Sequence, residues 1–296
     1  MSGGTAAVTH ALANPFAPFD PALQAAFTAN VQLALAEDVG DGDRTGLLVP
    51  ANHSVTARVL VRESAILCGA PWFQAVMHAL DAGIVLDWHY AEGARMQADS
   101  IVCMITAPAR ALLTAERSAL NFLQLLSGVA SATRRYVDVI EGTRAVILDT
   151  RKTLPGLRLA QKYAVRVGGG QNQRLALYDG ILIKENHIAA AGGIQQAMAA
   201  AHALNAGVPI QIEVESLHQM EAALDAGAVS ILLDNFDLPM MREAVAQNGG
   251  RALLEASGGV NLDTVRAIAE TGVDRISIGG LTKDVRATDY SLRIIG

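Results

Sequence analysis

Over residues 146–279 the chain alternates short apolar runs with alanine-rich segments of helical periodicity, and this alternation constrains the fold more than any other feature. The apolar runs predict six strands, at Val146–Asp149, Ile181–Lys184, Ile210–Glu215, Ser230–Asp234, Ala252–Ser257 and Arg275–Gly279. Helical patterns fill intervals between them, at Gly193–Asn205, Leu217–Ala226, Met240–Gln247 and Leu262–Thr271. Nearly continuous apolar strands joined by helices form a parallel sheet covered by helices. With six visible repeats, we expect an incomplete or open (β/α) barrel.

The chain before this alternation has a different pattern. Residues 1–27 are rich in Ala, Pro and Thr without a lasting period, which predicts a loosely held tail. Mixed helical and β-like runs follow, at Val31–Asp38, Val55–Val61, Trp72–Leu80, Ile101–Thr106 and Ala115–Leu126. We therefore expect an N-terminal α+β domain over residues 28–128 and a barrel over 129–285, with 286–296 packing back on the N-terminal domain.

Composition narrows the class of protein. The chain has 296 residues, 51% of them hydrophobic, which is enough for one large domain or two modest ones with proper cores. A net charge of −6 argues against a nucleic-acid surface, and no apolar run indicates a membrane span or a signal peptide. Cys68 and Cys103 lie in apolar stretches typical of buried thiols. We expect a cytoplasmic protein.

Basic residues follow the first strands of the predicted barrel. Arg151 and Lys152 come directly after the first strand, and Lys184 ends the second. Arg174 precedes that second strand, and Arg117 lies further upstream. Because active sites of α/β barrels lie at the carboxyl ends of the strands, we expect these cations to face one cavity and bind a polyanion. A solvated position at the rim is the alternative for any one of them.

Carboxylates follow the middle strands. Glu213 and Glu215 are two residues apart on one strand and therefore point to the same face. Asp234 ends the next strand, which places it beside them. Hard oxygen ligands near a bound phosphate suit Mg²⁺, and a network of ion pairs with the nearby cations is the alternative.

Glycines follow the last two strands, as Ser257-Gly258-Gly259 and Gly279-Gly280. The last two loops of such barrels commonly bind phosphate, and backbone without side chains can present N–H groups to it. Tight turns are the other use of such glycines. His187 lies just past a strand end and either orients a ligand or is a structural imidazole.

These residues belong to ordered motifs that resemble the quinolinate phosphoribosyltransferases over residues 30–290. The motifs are Asp149-Thr150-Arg151-Lys152-Thr153 with Pro155-Gly156, Gly168-Gly169-Gly170, Lys184-Glu185-Asn186-His187, Glu213-Val214-Glu215, Leu233-Asp234-Asn235-Phe236 and Ser257-Gly258-Gly259. The resemblance implies an α/β N-terminal domain and an open, seven-stranded barrel of the type II phosphoribosyltransferases. It also implies a homodimer, or a larger homo-oligomer, in which the N-terminal domain of one subunit covers the barrel of another.

The same resemblance implies the reaction. The phosphoribosyl group of phosphoribosyl pyrophosphate would pass to quinolinate with decarboxylation, giving nicotinate mononucleotide, carbon dioxide and pyrophosphate. Mg²⁺ would be the cofactor, and no protein nucleophile would be required.

The resemblance also implies roles for individual residues. Arg151, Arg174 and Lys184 would bind the carboxylates of quinolinate. Lys152 would line the same pocket, and Arg117 would reach it across the dimer interface. Glu215 and Asp234 would hold the ribose hydroxyls and Mg²⁺. The 5′-phosphate loop would consist of Ser257, Gly258, Gly279 and Gly280.

The sequence departs from the family pattern after the triple glycine. Gln173 stands where the family usually has a histidine before Arg174, and Ala176 stands where it tends to have a glycine. Glutamine can donate a hydrogen bond to a carboxylate but carries no charge, so Gln173 remains a candidate substrate-binding residue. Acceptors other than quinolinate, such as nicotinate, or a role alongside molybdenum transport, are alternatives at this position.

Two rival functions rest on the same residues. Lys184 on a barrel strand could act as the Schiff-base lysine of an aldolase. A barrel that binds a phosphate ligand without turnover is the non-enzymatic alternative, motivated by Gln173.

Overall fold

The structure, a computed structural model, describes residues 9–50 and 53–296. Its helices are α1 (Pro21–Asp38), α2 (Ala70–Leu80), α3 (Ala109–Val139), α4 (Arg158–Val167), α5 (Glu185–Ala191), α6 (Ile194–Ala203), α7 (Leu217–Asp225), α8 (Leu238–Asn248), α9 (Val265–Ala269) and α10 (Gly280–Lys283). Its strands are β1 (Ser54–Val61), β2 (Ala65–Ile66), β3 (Val85–Trp88), β4 (Arg95–Met96), β5 (Ile101–Pro108), β6 (Val146–Leu148), β7 (Ile181–Ile183), β8 (Ile210–Val214), β9 (Ser230–Asp234), β10 (Leu253–Ser257), β11 (Arg275–Ser277) and β12 (Tyr290–Ile294). None of the helices in these ranges is both long and apolar enough to cross a membrane.

The chain divides into two compact units. The first comprises the described residues up to Ser131, together with Pro155–Gly168 and Val285–Gly296. The second comprises Ala132–Leu154 and Gly169–Asp284. The boundary expected near residue 128 therefore differs from this division at one segment, because α4 belongs to the first unit.

The second unit is an open barrel. Its six strands are parallel, in the order β6-β11-β10-β9-β8-β7, so β6 and β7 are the edges of the sheet. The prediction of a parallel, incomplete (β/α) barrel is confirmed. A seventh strand is reduced to a single parallel bridge between Gln171 and Leu148 of β6.

Alternation along the strands gives the sheet of the second unit two different faces. Ile212 and Val214 of β8, and Ile231 and Leu233 of β9, belong to the apolar core that also contains helix residues such as Met220. The residues that alternate with them point to the other, inner face, where β8 carries Gln211 and Glu213 and β9 carries Leu232. This inner face is where the candidate site is built.

The first unit contains an antiparallel sheet with strand order β12-β1-β5-β3. β12 is the C-terminal strand, and it pairs with β1 from Ala57↔Ile294 to Val61↔Tyr290. The alternating burial of β1 shows that one face of this sheet packs on the core of the unit.

The segment predicted to be a loose tail is partly structured. Residues 1–8 lie outside the described residues, but α1 begins at Pro21, ten residues before the predicted helix. Asp20 caps it by accepting a hydrogen bond from the Leu23 N–H, and proline suits the first helical position. Just before the helix, the ring of Phe19 packs against Trp72 and Tyr163. These aromatic contacts supply the burial that the composition of the segment did not indicate.

Tyr163 explains why α4 belongs to the first unit. Its hydroxyl donates to the buried carboxyl group of Glu92 at 3.0 Å. The same carboxyl group accepts hydrogen bonds from the backbone N–H groups of Gly69 and Ala70, at the start of α2. Burial raises the pKa of Glu92 to about 7.

Candidate active site

Lys184 and Glu213 form an ion pair at the carboxyl ends of β7 and β8. Their strands are in register at Ile183↔Ile212, and the Lys184 Nζ lies 3.2 Å from Glu213 Oε2. The Glu213 side chain is only 12% exposed, whereas Lys184 is 45% exposed, so the pair has one buried and one accessible end. An ammonium group is therefore held at the mouth of the barrel by a carboxylate on its inner face.

Glu215 lies just beyond the end of β8 and is exposed. Its backbone N–H donates to the side chain of Gln219 at 2.7 Å. Both Glu213 and Glu215 line a small cavity of about 140 Å³. Sequence reasoning assigned the metal to Glu215 and Asp234, and the structure shows that Glu213 is the more enclosed of the two glutamates.

Asp234 and Ser257 are register partners at the ends of β9 and β10. Asn235 follows in a left-handed conformation, with φ +57°, and its side-chain amide donates to Asp234 Oδ2 at 2.9 Å. Gly258 has φ +99°, and a Cβ built on it would overlap Asn235 Oδ1. Only glycine therefore fits this turn, which brings a carboxylate, a hydroxyl group and bare backbone together.

Lys152 lies beside the glycines at the end of β11. A Cβ on Gly279 would lie 3.1 Å from Lys152 Cδ and 3.9 Å from its Nζ. The Thr282 hydroxyl group donates to the Lys152 carbonyl oxygen at 2.8 Å, which fixes the backbone of the two loops together. The structure thus joins Lys152 to the predicted phosphate loop.

Arg151 and Arg174 are close enough to influence each other. Burial, and then the positive charge of Arg151, lower the pKa of Arg174. The Arg151 Nε is buried and has no hydrogen-bond partner among the described residues. An anion that bound between these two half-buried guanidinium groups would relieve their mutual repulsion.

Arg174 is anchored at the opposite end of β7 from Lys184. Arg174 donates to the Gly180 carbonyl oxygen at 3.1 Å, at the amino end of β7. Lys184 follows the carboxyl end of the same strand, roughly 13 Å further along an extended chain. Asp179 closes the loop between them by accepting from the Leu175 and Ala176 N–H groups.

Asp149 fixes the segment that carries Gln173. It is fully buried after β6 and accepts from the Gln173 N–H at 2.9 Å and from Asn172 Nδ2 at 2.6 Å. The Gln173 side chain in turn donates to Gln211 on β8, and Gln211 donates to Glu255 on β10. Polar side chains therefore cross the interior of the barrel.

Sequence reasoning did not assign roles to Asp149, Gln211 or Glu255. The signal for Asp149 was its position at a strand end, two residues before Arg151. Gln211 and Glu255 are polar residues inside otherwise apolar strands, which is the available signal for an inner-face contact.

Two further candidates predicted from the sequence are His187 and Arg117. His187 Nδ1 accepts the Lys184 N–H at 3.0 Å at the start of α5, which is a structural role for the imidazole. Arg117 is exposed on α3 in the first unit.

A cavity of about 590 Å³ lies below the polar crossing, at the amino ends of the strands. Gln173 and Arg174 line it together with the interior residues Gln211, Glu255 and Arg275. The polar layer of Gln173, Gln211 and Glu255 thus borders this cavity on one side and the strand-end groups on the other.

Comparisons with known proteins agree with this arrangement. Residues 129–293 match the family described as the C-terminal domain of quinolinate phosphoribosyl transferase, and residues 43–127 match its N-terminal domain. The carboxylating nicotinate-nucleotide pyrophosphorylase of Mycobacterium leprae is 43% identical over 270 residues, covering 88% of this chain and 95% of that protein. A probable enzyme of the same name from Bacillus subtilis is 38% identical, covering 87% and 90%.

Solved structures give the same result. The nicotinate-nucleotide pyrophosphorylase of Francisella tularensis superposes with a TM-score of 0.89 and 42% identity, covering 92% of this chain and 96% of that one. The corresponding protein of Ehrlichia chaffeensis gives a TM-score of 0.87 and 39% identity, covering 91% and 98%. The sequence matches, the open parallel barrel and these neighbours together show that the chain belongs to the quinolinate phosphoribosyltransferase family.

Proposed function

We propose that this chain transfers the phosphoribosyl group of phosphoribosyl pyrophosphate to quinolinate, with loss of carbon dioxide, and forms nicotinate mononucleotide for NAD biosynthesis. The observation that carries the proposal is the set of groups at one end of the open barrel. A cation at Lys184, carboxylates at Glu213 and Asp234, and glycine turns at Gly258 and Gly279 meet the needs of a polyanionic acceptor and a sugar diphosphate.

The acceptor would lie over Arg151 and Lys184. Arg174 would exchange its bond to the Gly180 carbonyl oxygen for one to a carboxylate of quinolinate. Gln173 would add a neutral donor, and Lys152 would bridge the acceptor pocket and the phosphate loop. Arg117 would come from a partner subunit in a homodimer or larger homo-oligomer.

The donor would lie over the later strands. Asp234 with Glu213 or Glu215 would hold the ribose hydroxyls, and the turns at Ser257-Gly258 and Gly279-Gly280 would hold the 5′-phosphate. These assignments follow the order of the strand ends around the sheet.

The residues fit Mg²⁺ as part of a substrate complex. Within the described ranges no three His, Cys, Asp or Glu side chains form a metal site. Mg²⁺ commonly uses one or two carboxylates together with substrate phosphates and water, and Asp234 with a neighbouring glutamate supplies that number. When bound, the ion would neutralise charge on the departing pyrophosphate.

The reaction then depends on position and charge. The ring nitrogen of quinolinate donates its electron pair to the anomeric carbon, while the bond from that carbon to pyrophosphate breaks toward the leaving group. The ring nitrogen becomes cationic and can accept the electrons released when the adjacent carboxylate leaves as carbon dioxide. A solvent proton replaces the carboxylate on the ring carbon. Arg151 and Lys184 hold the acceptor throughout, and no covalent bond to the chain is formed.

A turnover assay tests the proposal. The chain is incubated with phosphoribosyl pyrophosphate, Mg²⁺ and either quinolinate or nicotinate, and both pyrophosphate and carbon dioxide are followed. We expect both products from quinolinate and neither from nicotinate. Pyrophosphate from nicotinate alone would contradict the proposed acceptor while retaining the phosphoribosyl transfer.

The metal requirement has its own test. Chelation of Mg²⁺ is expected to abolish turnover, and Asp234→Asn is expected to raise the Mg²⁺ concentration needed for half-maximal rate about tenfold, because one charged ligand is lost. A rate unchanged by chelation would contradict the role of Mg²⁺.

The cytoplasmic location is part of the proposal. Cys68 and Cys103 are buried free thiols, which suits a reducing compartment.

A further inference from the structure

Three side chains form a continuous hydrogen-bonded relay across the interior of the open barrel. Gln173 Nε2 donates to Gln211 Oε1 at 2.8 Å, and Gln211 Nε2 donates to Glu255 Oε2 at 2.9 Å. Gln211 is 7% exposed and Glu255 is 1% exposed, so the relay ends at a buried carboxyl group on the inner face of the sheet.

Buried polar groups at these positions lower the stability of the fold, so their presence suggests a functional role. Burying an amide or a carboxyl group loses hydration, and an apolar pair of similar size would fill the space without that loss. The outer-facing neighbours of both residues on β8 and β10, such as Ile212 and Leu254, are apolar. The inner face therefore retains two polar residues where packing alone does not require them.

The position of the relay connects it to the candidate site. Gln211 lies two residues before Glu213 on β8, and Glu255 lies two residues before Ser257 on β10. Side chains two apart on a strand share a face, so the relay forms the layer directly below the strand-end groups. Gln173 joins this layer from the loop that also carries Arg174.

The relay fixes Gln173 from one side and Asp149 fixes it from the other. The Asp149 carboxylate accepts the Gln173 backbone N–H, while Gln211 accepts its side-chain N–H. An amide is planar, so holding one N–H sets the direction of the whole carboxamide group. Burial raises the pKa of Glu255, and in either protonation state its carboxyl oxygen accepts from Gln211 Nε2, which orients Gln211 and through it Gln173.

We propose that Gln211 and Glu255 are positioning residues that orient the Gln173 carboxamide toward a carboxylate of the acceptor. The inference rests on the proposed function, since it concerns the acceptor pocket of that reaction. Gln211 and Glu255 do not touch substrate, and their effect on the acceptor passes through Gln173.

The test uses four variants of the full-length chain. Gln211→Met removes the amide with little change of volume, and Glu255→Gln keeps an acceptor oxygen for Gln211. The double variant Gln211→Met/Glu255→Leu removes both buried partners together, so neither is left buried without the other, while the Gln173 side chain loses its bond to Gln211. Leu253→Ala is the matched control, because Leu253 lies on the same face of β10, two residues from Glu255 and outside the relay.

The readouts are kcat, the KM for each substrate, and the Kd for quinolinate by calorimetry. We expect Gln211→Met and the double variant to raise the KM and Kd for quinolinate about tenfold, with the KM for phosphoribosyl pyrophosphate unchanged. Glu255→Gln is expected to restore values close to those of the parent chain, and Leu253→Ala to leave them unchanged.

Three results would overturn the proposal. One is an unchanged quinolinate KM in both relay-breaking variants. Another is an equal rise in the KM for phosphoribosyl pyrophosphate, which indicates a general structural defect. The third is a loss in Glu255→Gln as large as in the double variant. Absence of turnover by the parent chain would refute the proposed function instead, and the calorimetric Kd would still decide the role of the relay.

Discussion

Lys184 and Glu213 illustrate how single residues are prepared for a charged substrate. Their ion pair, with an Nζ-to-Oε2 distance of 3.2 Å, holds a cation at the barrel mouth before any ligand arrives. Because Glu213 is enclosed and Lys184 is half exposed, the lysine can meet an incoming carboxylate without a large rearrangement. Preorganised charge of this kind is the main catalytic resource of a site without a covalent nucleophile.

Removal of the Lys184 cation is therefore a direct test at the residue scale. We expect Lys184→Ala to lower kcat/KM for quinolinate by about 10- to 100-fold, since a charge-assisted hydrogen bond is lost and Glu213 is left unpaired. Steady-state kinetics with quinolinate as the varied substrate give the result.

The matched control is Arg251→Ala, which removes a cation from an exposed ion pair with Glu221 in the same unit. An exposed pair contributes little, so its kcat/KM should stay close to that of the parent chain. Equal losses in both variants would contradict a specific role for Lys184.

The sequence predicted which residues lie at the strand ends better than it predicted which side chains contact each other. Strand ends are visible in the sequence because apolar runs stop there. The predicted positions of Lys184, Asp234 and Ser257 at the ends of their strands agree with the structure. Which of Glu213 and Glu215 meets Lys184 depends on strand register, and that is set by pairing with a distant segment. The contact of Arg174 with Gly180 depends on a loop without periodic pattern.

At the scale of elements, the barrel strands and α2 lie close to their predicted ranges, whereas two other N-terminal helices extend well beyond theirs. Each of the six predicted strands of the second unit is present, because period and apolar content report burial between helices. α1 and α3 are longer than predicted, since a cap at Asp20 and tertiary packing extend helices beyond their apolar stripe. β2, β3 and β4 were missed because they have only two to four residues, and β12 was missed because polar and charged residues interrupt its five.

The turn after β10 offers a test at this scale. Gly258→Ala is expected to destabilise the fold by about 1–2 kcal/mol through its left-handed backbone and to raise the KM for phosphoribosyl pyrophosphate, because Cβ would displace Asn235 from Asp234. Chemical denaturation and steady-state kinetics measure the two effects.

Gly249→Ala separates backbone strain from the site. Gly249 has φ +53°, and a Cβ there would meet no atom of the described residues within 4 Å. Its stability loss should be similar, and its KM for phosphoribosyl pyrophosphate should not change. A raised KM in this control would show that the effect at Gly258 is not local.

At the scale of the whole molecule, stability is linked to pH through the buried Glu92. Its pKa is about 7 in the folded chain, above the ordinary value of 4.5, so the folded state holds a proton that the unfolded state releases. The contribution of Glu92 is therefore fully present below pH 4.5 and is lost as the pH rises through 7. Between these limits we expect it to fall by roughly 3 kcal/mol.

Comparison with Glu92→Gln isolates this contribution, because glutamine does not titrate. The free energy of unfolding of the parent chain, minus that of the variant, should decrease between pH 5 and pH 8 in denaturant titrations. A difference that rises with pH would contradict the raised pKa.

Sharing of the active site between subunits has a whole-molecule consequence. If Arg117 acts in the site of a partner that contributes Lys184, mixing Arg117→Ala and Lys184→Ala chains should produce heterodimers with one intact site each. Each variant alone should show strongly reduced activity, and the refolded mixture should exceed the activity of either variant by recovering a fraction of the parent activity. Absence of recovery in heterodimers isolated by two affinity tags would refute the shared site.

The central claim is that one end of this open barrel joins phosphoribosyl transfer to decarboxylation. The most direct measurement uses quinolinate labelled with ¹³C in the carboxylate next to the ring nitrogen, and follows labelled carbon dioxide and pyrophosphate together. The account predicts that both are released in equal amounts, and only when phosphoribosyl pyrophosphate is present. Pyrophosphate without labelled carbon dioxide, or no release of either, would contradict it.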